Sequence, residues 1–454
     1  MRRLWAFATF QGRLNRVLFA PPALVAFFMQ HAIVFELIRS AARSVDLGPY
    51  FWIAPITAAH IAGGAAPLDQ MMAMMGLVLA AWMLAAIGFA RATDAGVSGW
   101  AGALAVVPGI QVLVLLALAV LPPREMPVDA ETVPARTQSG QLAAAVGGVL
   151  AGAALCVAAV AVSTLIFGVY GYGLFFASPF VVGITTGYAA NRRRALSDWQ
   201  TIVVVSAALL LGGLLLIAVL LEGAICIVMA SPLALFLGAI GGFLGRALAL
   251  RGREPPEATV FAAAFLPVLF AIEHAALAPA YFTTDESVVV SAPADAVWRA
   301  VVAMGPIPER PSLPFRLGLA YPLDGKIEGE GVGAIRKGYF STGVAYERIT
   351  AWRPGRELAF DVLSDPPMLR ELSPYSGLQT PHLLGYYHTG AAAFLITPLT
   401  DGRARLTLRT SHVLKLDPAP YWLPFAKWAV RENKLRVLAH FKRVAENAAS
   451  PVPR

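Results

Sequence analysis

No lysine occurs among the first 283 residues of this 454-residue chain, and charged side chains of any kind make up only 14% of it, against 57% hydrophobic. Soluble globular chains carry about 25% charged residues, so a wholly water-soluble protein is excluded. All six lysines fall in residues 284–454, together with 15 arginines and 16 acidic residues, whereas residues 1–283 hold 15 arginines and 12 acidic residues. A boundary near Thr283 therefore separates a lipid-soluble part from a water-soluble one. Cysteine is almost missing: Cys156 and Cys226 both sit in apolar runs, which leaves no disulfide framework, no CxxC pair and no zinc set. No basic run is longer than Arg192-Arg193-Arg194. The formal charge of +8 is then that of loop arginines orienting helices, and nucleic acid is not an expected partner. Walker loops, nucleophile elbows and HExxH motifs are also lacking. Gly329-Glu330-Gly331-Val332-Gly333 has dinucleotide-loop spacing, but no helix opens after it, so it reads as a turn between strands. Neither a metal nor a cofactor is expected.

What is present is apolar length. Crossing a bilayer core takes about 20 apolar residues in a helix, and eight runs qualify: 17–38, 71–90, 100–121, 142–169, 173–190, 201–221, 223–244 and 258–281. A ninth, 50–66, is shorter and carries His60, leaving crossing and interfacial placement both open. The first run follows basic residues as a signal peptide would, but it exceeds a signal core and lacks a small-residue cleavage site, so it is expected to remain as an anchor. Phe176-Ala177-Ser178-Pro179-Phe180 returns 53 residues later as Met229-Ala230-Ser231-Pro232-Leu233. Each copy follows a long apolar helix and precedes arginine, so the repeated unit is a helical hairpin. Arg192–Arg194 and the group Arg246, Arg251, Arg253 then mark the cytoplasmic side, and the last run carries the chain outward. Residues 284–454 are expected outside the cytoplasm.

Phe10-Gln11-Gly12-Arg13-Leu14-Asn15-Arg16 before the first run, and Arg91-Ala92-Thr93-Asp94-Ala95-Gly96-Val97-Ser98-Gly99-Trp100 between two later ones, resemble a bacterial inner-membrane family catalogued as domain of unknown function 805. The resemblance implies a multi-pass plasma-membrane location and names no activity. Residues Arg13, Arg16, Arg91, Asp94 and Trp100 form a membrane-interface motif, in which Arg91 and Asp94 can pair across one helical turn and Trp100 suits the headgroup region. Glu273 and His274 are an adjacent ionisable pair within an apolar run, functional by default or snorkelling to the interface.

The last third alternates differently. Residues 287–290 read as a strand, 291–298 as a helix entry, and 333–340, 344–352, 357–363, 391–396 and 404–413 as strands of period two. Residues 421–447 read as a long helix. In this order residues 283–446 resemble the START-like superfamily of polyketide cyclases and lipid transport proteins, whose helix-grip fold closes a long helix over a curved sheet around an apolar cavity. The resemblance implies binding of a hydrophobic small molecule or lipid. Candidate cavity residues are Arg336, Tyr339, Glu347, Trp352, His382, Tyr386, Tyr387, His388, Trp422 and Trp428, with the loop around Ser373-Pro374-Tyr375 and Pro381-His382-Leu383 as a lid. His382 and His388, with Tyr386 and Tyr387 between them, offer an acid and a base near neutral pH, so a cyclase or hydratase activity competes with simple binding. A transporter built on the hairpins is a third reading. No catalytic residue is assigned.

The expected chain is thus multi-domain: a polytopic α-helical membrane region of eight or nine transmembrane helices, divided at 1–125 and 126–282, followed by an α+β helix-grip domain at 283–454. Its partners would be the bilayer and a hydrophobic small molecule or lipid. Alkaline phosphatase fused after Arg454 should be active, and the same reporter fused after Arg194 inactive; the reverse pattern would overturn this topology.

Overall fold

The computed structural model describes residues 10, 13–41, 44–45, 47–48, 51–52, 66–97, 102, 104–106, 111–123, 138–251, 257–276, 279–371 and 385–449. The chain divides into two compact units, Met1–Leu277 and Ala278–Arg454.

The first unit is helical. Its helices are α1 (Arg16–Ser40), α2 (Pro67–Asp94), α3 (Gln111–Val120), α4 (Gln138–Ala161), α5 (Ser178–Asn191), α6 (Asp198–Ala218), α7 (Ala224–Arg251) and α8 (Glu257–Ala276). Side chains start two of them: Asn15 accepts the Leu18 N–H at 2.9 Å, and Ser197 with Gln200 forms a capping box on α6. Short π-helical turns, Val162–Ile166 and Gly173–Ala177, flank the bend of the first hairpin. Among the described residues six helices are long and apolar enough to cross a membrane: Arg16–Ser40, Leu68–Asp94, Gln141–Ile166, Gly173–Asn191, Asp198–Ala218 and Ala224–Leu250. The expected eight or nine are not reached. Among its described residues the run 100–121 shows the ten-residue α3 and a turn at Leu104–Val106. The run 258–281 stops as a helix at Ala276, and only its shorter stretch Phe265–Ala275 counts as an apolar helix. From Ala280 the chain is a strand, because Tyr281, Phe282, Thr283 and Thr284 are aromatic and β-branched residues that favour a pleated surface. Apolar content alone does not separate the two. The ninth run, 50–66, lies outside the described residues except at Phe51, Trp52 and Ala66.

The duplicated hairpins meet through their second helices. A Cβ on Gly183 would lie 2.1 Å from the Gly238 carbonyl oxygen, one on Gly187 2.4 Å from that of Gly242, and one on Gly245 2.2 Å from that of Ile184. Only glycine permits so close a backbone approach, which is how helices associate where no hydrophobic driving force acts.

The second unit is one antiparallel sheet and a long helix. Strands β1 (Ala280–Val290), β2 (Pro322–Glu328), β3 (Ile335–Phe340), β4 (Gly343–Arg353), β5 (Glu357–Ser364), β6 (Tyr387–Pro398) and β7 (Ala404–Leu414) lie in the order β1-β7-β6-β5-β4-β3-β2. Helices α9 (Ala294–Ala303) and α10 (Leu313–Arg316) fall between β1 and β2, and α11 (Ala419–Ala449) closes the chain. The apolar core joins Val290, Val297, Ile349, Phe360, Phe394 and Leu406 to Val437, Leu438, Phe441 and Ala445 of α11. This strand order with its closing helix is the helix-grip arrangement.

A unit of some 170 residues buries enough surface to fold alone. Residues 278–454 expressed without the helices should be soluble and give a mixed α/β circular dichroism spectrum; persistent aggregation or a purely helical spectrum would refute the separate unit.

Candidate functional site

Antiparallel pairing gathers the first residues of β1 and β6 and the last of β7 at one end of the sheet, where Ala280 and Tyr387 both oppose Leu414. The second half of α11 fills the core described above. The first half, with Trp422 and Leu423 buried, belongs to a different interior that carries a polar chain.

Side chains two apart on a strand share a face, so Thr410 and His412 of β7 both point inward and are buried. Thr284 opposes Thr410, and Thr389 opposes His412. The chain runs from Tyr387 Oη to His412 Nδ1 at 2.7 Å, from His412 Nε2 to Thr410 Oγ1 at 2.7 Å, and on to Thr284 Oγ1 at 3.1 Å. Lys434 of α11 ends it, donating from Nζ to Thr284 Oγ1 at 2.8 Å and to the Thr284 carbonyl at 2.5 Å. Phe282 and Tyr387 each stack on the His412 ring, at centroid distances of 4.9 and 5.5 Å.

A β-bulge decides which residues of β6 take part. Between Thr389 and Ala392 two residues of β6, Gly390 and Ala391, face one of β7, Ser411, which reverses the alternation. Phe394 and Ile396 point inward, and across the bulge Tyr387 turns inward while His388 turns out. His388 is exposed and pairs with Asp365 through Nδ1 at 2.5 Å.

Burial sets the protonation of the chain. It pushes the His412 imidazole down to about 3, with Lys434 and His388 acting in the same direction, so the ring is neutral at physiological pH. Burial also lowers the Lys434 ammonium to about 8, against the pull of Asp285 and Glu286, and holds the Tyr387 phenol protonated by raising its pKa. The result is a phenol beside a neutral imidazole in an aromatic sleeve. Such a pair can donate to and accept from one polar group, or pass a proton.

A second buried polar pair lies across β3 and β4. Arg336 directly opposes Glu347 and forms an ion pair with it. The guanidinium also reaches Met304 Sδ at 3.2 Å and lies 4.8 Å over the Phe360 ring. Burial raises the Glu347 carboxyl, opposed by Arg336. A Cβ at Gly338 would come 3.1 Å from Glu347 Oε1, so the neighbouring position is left bare.

The other cavity candidates scatter. Tyr339 is one residue out of phase with Gly338 and Arg336, facing away from the helix, where Lys326 lies 5.9 Å from its ring; it does not line the interior. Trp352 packs edgewise on Trp298 at 5.4 Å, against the apolar core. Tyr386 accepts the Lys415 N–H through its carbonyl at 2.7 Å. Trp422 is buried against Tyr421 at 5.0 Å, and Trp428 is part-exposed over Phe315 at 5.7 Å. His382 and the rest of the expected lid, 372–384, lie outside the described residues. Sequence reasoning passed over Thr284, Thr410, His412 and Lys434, although Lys434 falls on the apolar stripe of α11 between Val430 and Leu438.

In the helical unit Arg91 is fully buried. It pairs with Asp94 at 2.7 Å, donates from Nε to the Leu118 carbonyl at 2.9 Å and reaches the Leu121 carbonyl. The pair therefore seals the end of α3, satisfying orphan carbonyls, and is an internal clamp rather than a surface anchor. Arg13 and Arg16 are exposed, and Trp100 lies outside the described residues. Glu273 Oε1 accepts the Gly173 N–H at 2.7 Å where the span Gly173–Asn191 begins, and His274 is exposed. Glu222, also unremarked in the sequence, accepts from Tyr170 Oη at 2.9 Å. Among the described residues no three His, Cys, Asp or Glu side chains are grouped to hold a metal.

Residues 7–129 match the family model described as Protein of unknown function (DUF805). No curated protein matches the chain. Similar solved structures include the Zhui aromatase/cyclase from Streptomyces sp. R1128, at 18% identity, TM-score 0.27, 37% of this chain and 96% of that one. A truncated norcoclaurine synthase from Thalictrum flavum aligns at 15% identity, TM-score 0.25, with 38% and 98% covered. The helix-grip assignment rests on the strand order and closing helix of this chain itself.

The depressed His412 pKa has a consequence for stability. Below about pH 6.5 the unfolded chain takes up a proton that the folded unit refuses until about pH 3. Stability is therefore complete above pH 6.5 and is lost as pH falls through that window, at up to about 1.4 kcal/mol per pH unit. Chemical denaturation of residues 278–454 should show this slope, and His412→Gln should flatten it relative to the parent; equal slopes would mean that His412 is not held neutral.

Proposed function

We propose that this chain is a multi-pass plasma-membrane protein whose C-terminal unit, outside the cytoplasm, binds an apolar small molecule or lipid bearing one polar group. The apolar body would lie beneath the first half of α11 among Phe282, Tyr387 and Trp422, with its polar group against Tyr387 and His412. The observation that carries this reading is the buried donor–acceptor pair placed inside an aromatic wall, since ligand sites are mostly apolar with a few convergent polar groups. The arginine distribution supports the side of the membrane, and the count of eight or nine spans remains part of the proposal.

The Tyr387–His412 contact at 2.7 Å also favours a second reading, in which the pair moves a proton on the bound molecule as a cyclase or hydratase would. The two readings part at His412→Gln. Simple binding would change by no more than about tenfold, the worth of one hydrogen bond, whereas turnover would fall by about 100-fold or more if the imidazole is a general acid or base.

Titration of residues 278–454 with anilinonaphthalene sulfonate tests the site. Saturable binding is expected, and Trp422→Glu should abolish it, since an unpaired buried charge is strongly disfavoured. Tyr339→Lys, on the opposite face, should leave it unchanged. Undiminished binding by folded Trp422→Glu would refute the assigned interior.

A further inference from the structure

The end of the sheet at which β1 begins is rimmed by apolar side chains in contact with solvent. Tyr281 is 69% exposed, Phe425 41%, Trp428 40%, and Leu313 and Leu317 of the α10 segment 60% and 47%. Trp428 stacks on Phe315 at 5.7 Å, which fixes α10 beside the first half of α11. Lys415, Arg316 and Arg431 are exposed around it. Aromatic and leucine side chains clustered in this way mark a contact surface.

Covalent geometry says what that surface meets. Glu273 holds the Gly173 N–H at 2.7 Å, where the span Gly173–Asn191 begins, so the last turn of α8 lies at an end of the helical bundle. Ala276 closes that helix and Ala280 opens β1. Four Cα–Cα steps join them, so Ala280 stays within about 15 Å of Ala276 for every orientation of the two units. The start of β1 is therefore tethered to the last turn of α8. The turns at the other end of the sheet, with strands of 11 residues, lie about 30 Å further along.

We propose that this rim docks onto the bilayer that holds the helices, with Tyr281, Phe425 and Trp428 at headgroup depth and Lys415 and Arg316 on anionic headgroups. The same end of the sheet holds Tyr387 and His412, so docking would set the first half of α11 against lipid. The surface does not rest on the ligand-binding reading. Loss of dye binding would leave it standing, and failure of docking would leave the interior site untouched.

The test uses the full chain with Cys156 and Cys226 replaced by alanine, reconstituted in vesicles of phosphatidylcholine and phosphatidylglycerol. Single cysteines labelled with bimane would be placed by Phe425→Cys and Trp428→Cys on the rim, and by Val332→Cys and Thr400→Cys in the far turns. Quenching by lipids spin-labelled near the headgroup should be several-fold stronger at 425 and 428 than at 332 and 400, and should weaken when phosphatidylglycerol is omitted. Equal quenching at all four sites would overturn the proposal. So would rim probes shielded from aqueous iodide yet untouched by lipid quencher, a result that marks a protein partner such as a second copy.

Discussion

The water-soluble unit depends on one helix reaching both edges of one sheet. Among the described residues strands β1 and β2 are the outer strands, each with a row of backbone groups that no described strand takes up. α11 reaches both. Lys434 and Lys442 donate to the carbonyls of Thr284 and Val289 on β1, at 2.5 and 2.9 Å. On the other side Asn433 donates to the Ala320 carbonyl at 2.9 Å and Arg436 to that of Pro322 at 3.3 Å. A flat seven-stranded sheet would hold its edges far apart, since neighbouring strands are about 4.8 Å from one another. Contact of both edges with one helix therefore requires a strongly curved sheet. Covering the edges also removes the template for unwanted strand addition.

The helical unit solves a different problem. Lipid gives apolar helices no reason to associate, so α5 and α7 rely on the close backbone approach at Gly183, Gly187 and Gly245. Polar side chains do the remaining work at the ends of elements. Arg91 seals α3, and Glu273 and Glu222 reach the hairpin bend at Gly173 and Tyr170. The sequence left Glu273 either functional or snorkelling to the interface, and Arg91 as a membrane-interface residue. Here Arg91 and Glu273 each meet backbone groups that a helix leaves without partners, which accounts for them structurally.

Much of this was legible in residue patterns, and the misses have definite causes. Period-two alternation identified the strands from β3 onward, and the motif residues around Arg13 and Arg91 identified the family matched by residues 7–129. The start of β1 was hidden because Tyr281 and Phe282 extend an apolar run that reads equally as helix. Parity along β3 and β4 puts Arg336 and Glu347 on the buried face and would have set Tyr339 apart from them. It would also have placed His388 inside and Tyr387 outside, since Phe394 and Ile396 fix the phase; the bulge before Ala392 reverses it, and no local signal announces that bulge beyond Gly390. Lys434 was discoverable as a lysine on an apolar stripe. Its partner Thr284, 150 residues away, was not.

The polar chain itself argues for ligand binding over stability. Buried hydrogen-bonded and charged groups contribute little more than an apolar filling of the same volume, and the second half of α11 shows that filling in Val437, Leu438 and Phe441. The first half could have been closed in the same manner. Beside the lysine that grips β1 it instead carries a phenol and an imidazole kept neutral down to about pH 3, a polar pair the interior disfavours. The phase of the lysine and the imidazole along α11 and β7 sets them beside Phe282, Tyr387 and Trp422 and apart from the packed core. A fold whose closing helix already holds both edge strands through the carbonyls of Thr284, Val289 and Pro322 has no structural need of a phenol and an imidazole there. Recognition of one polar group on an otherwise apolar molecule is a use that fits their chemistry, their protonation and their place at the end of the sheet nearest the chain's entry from the membrane.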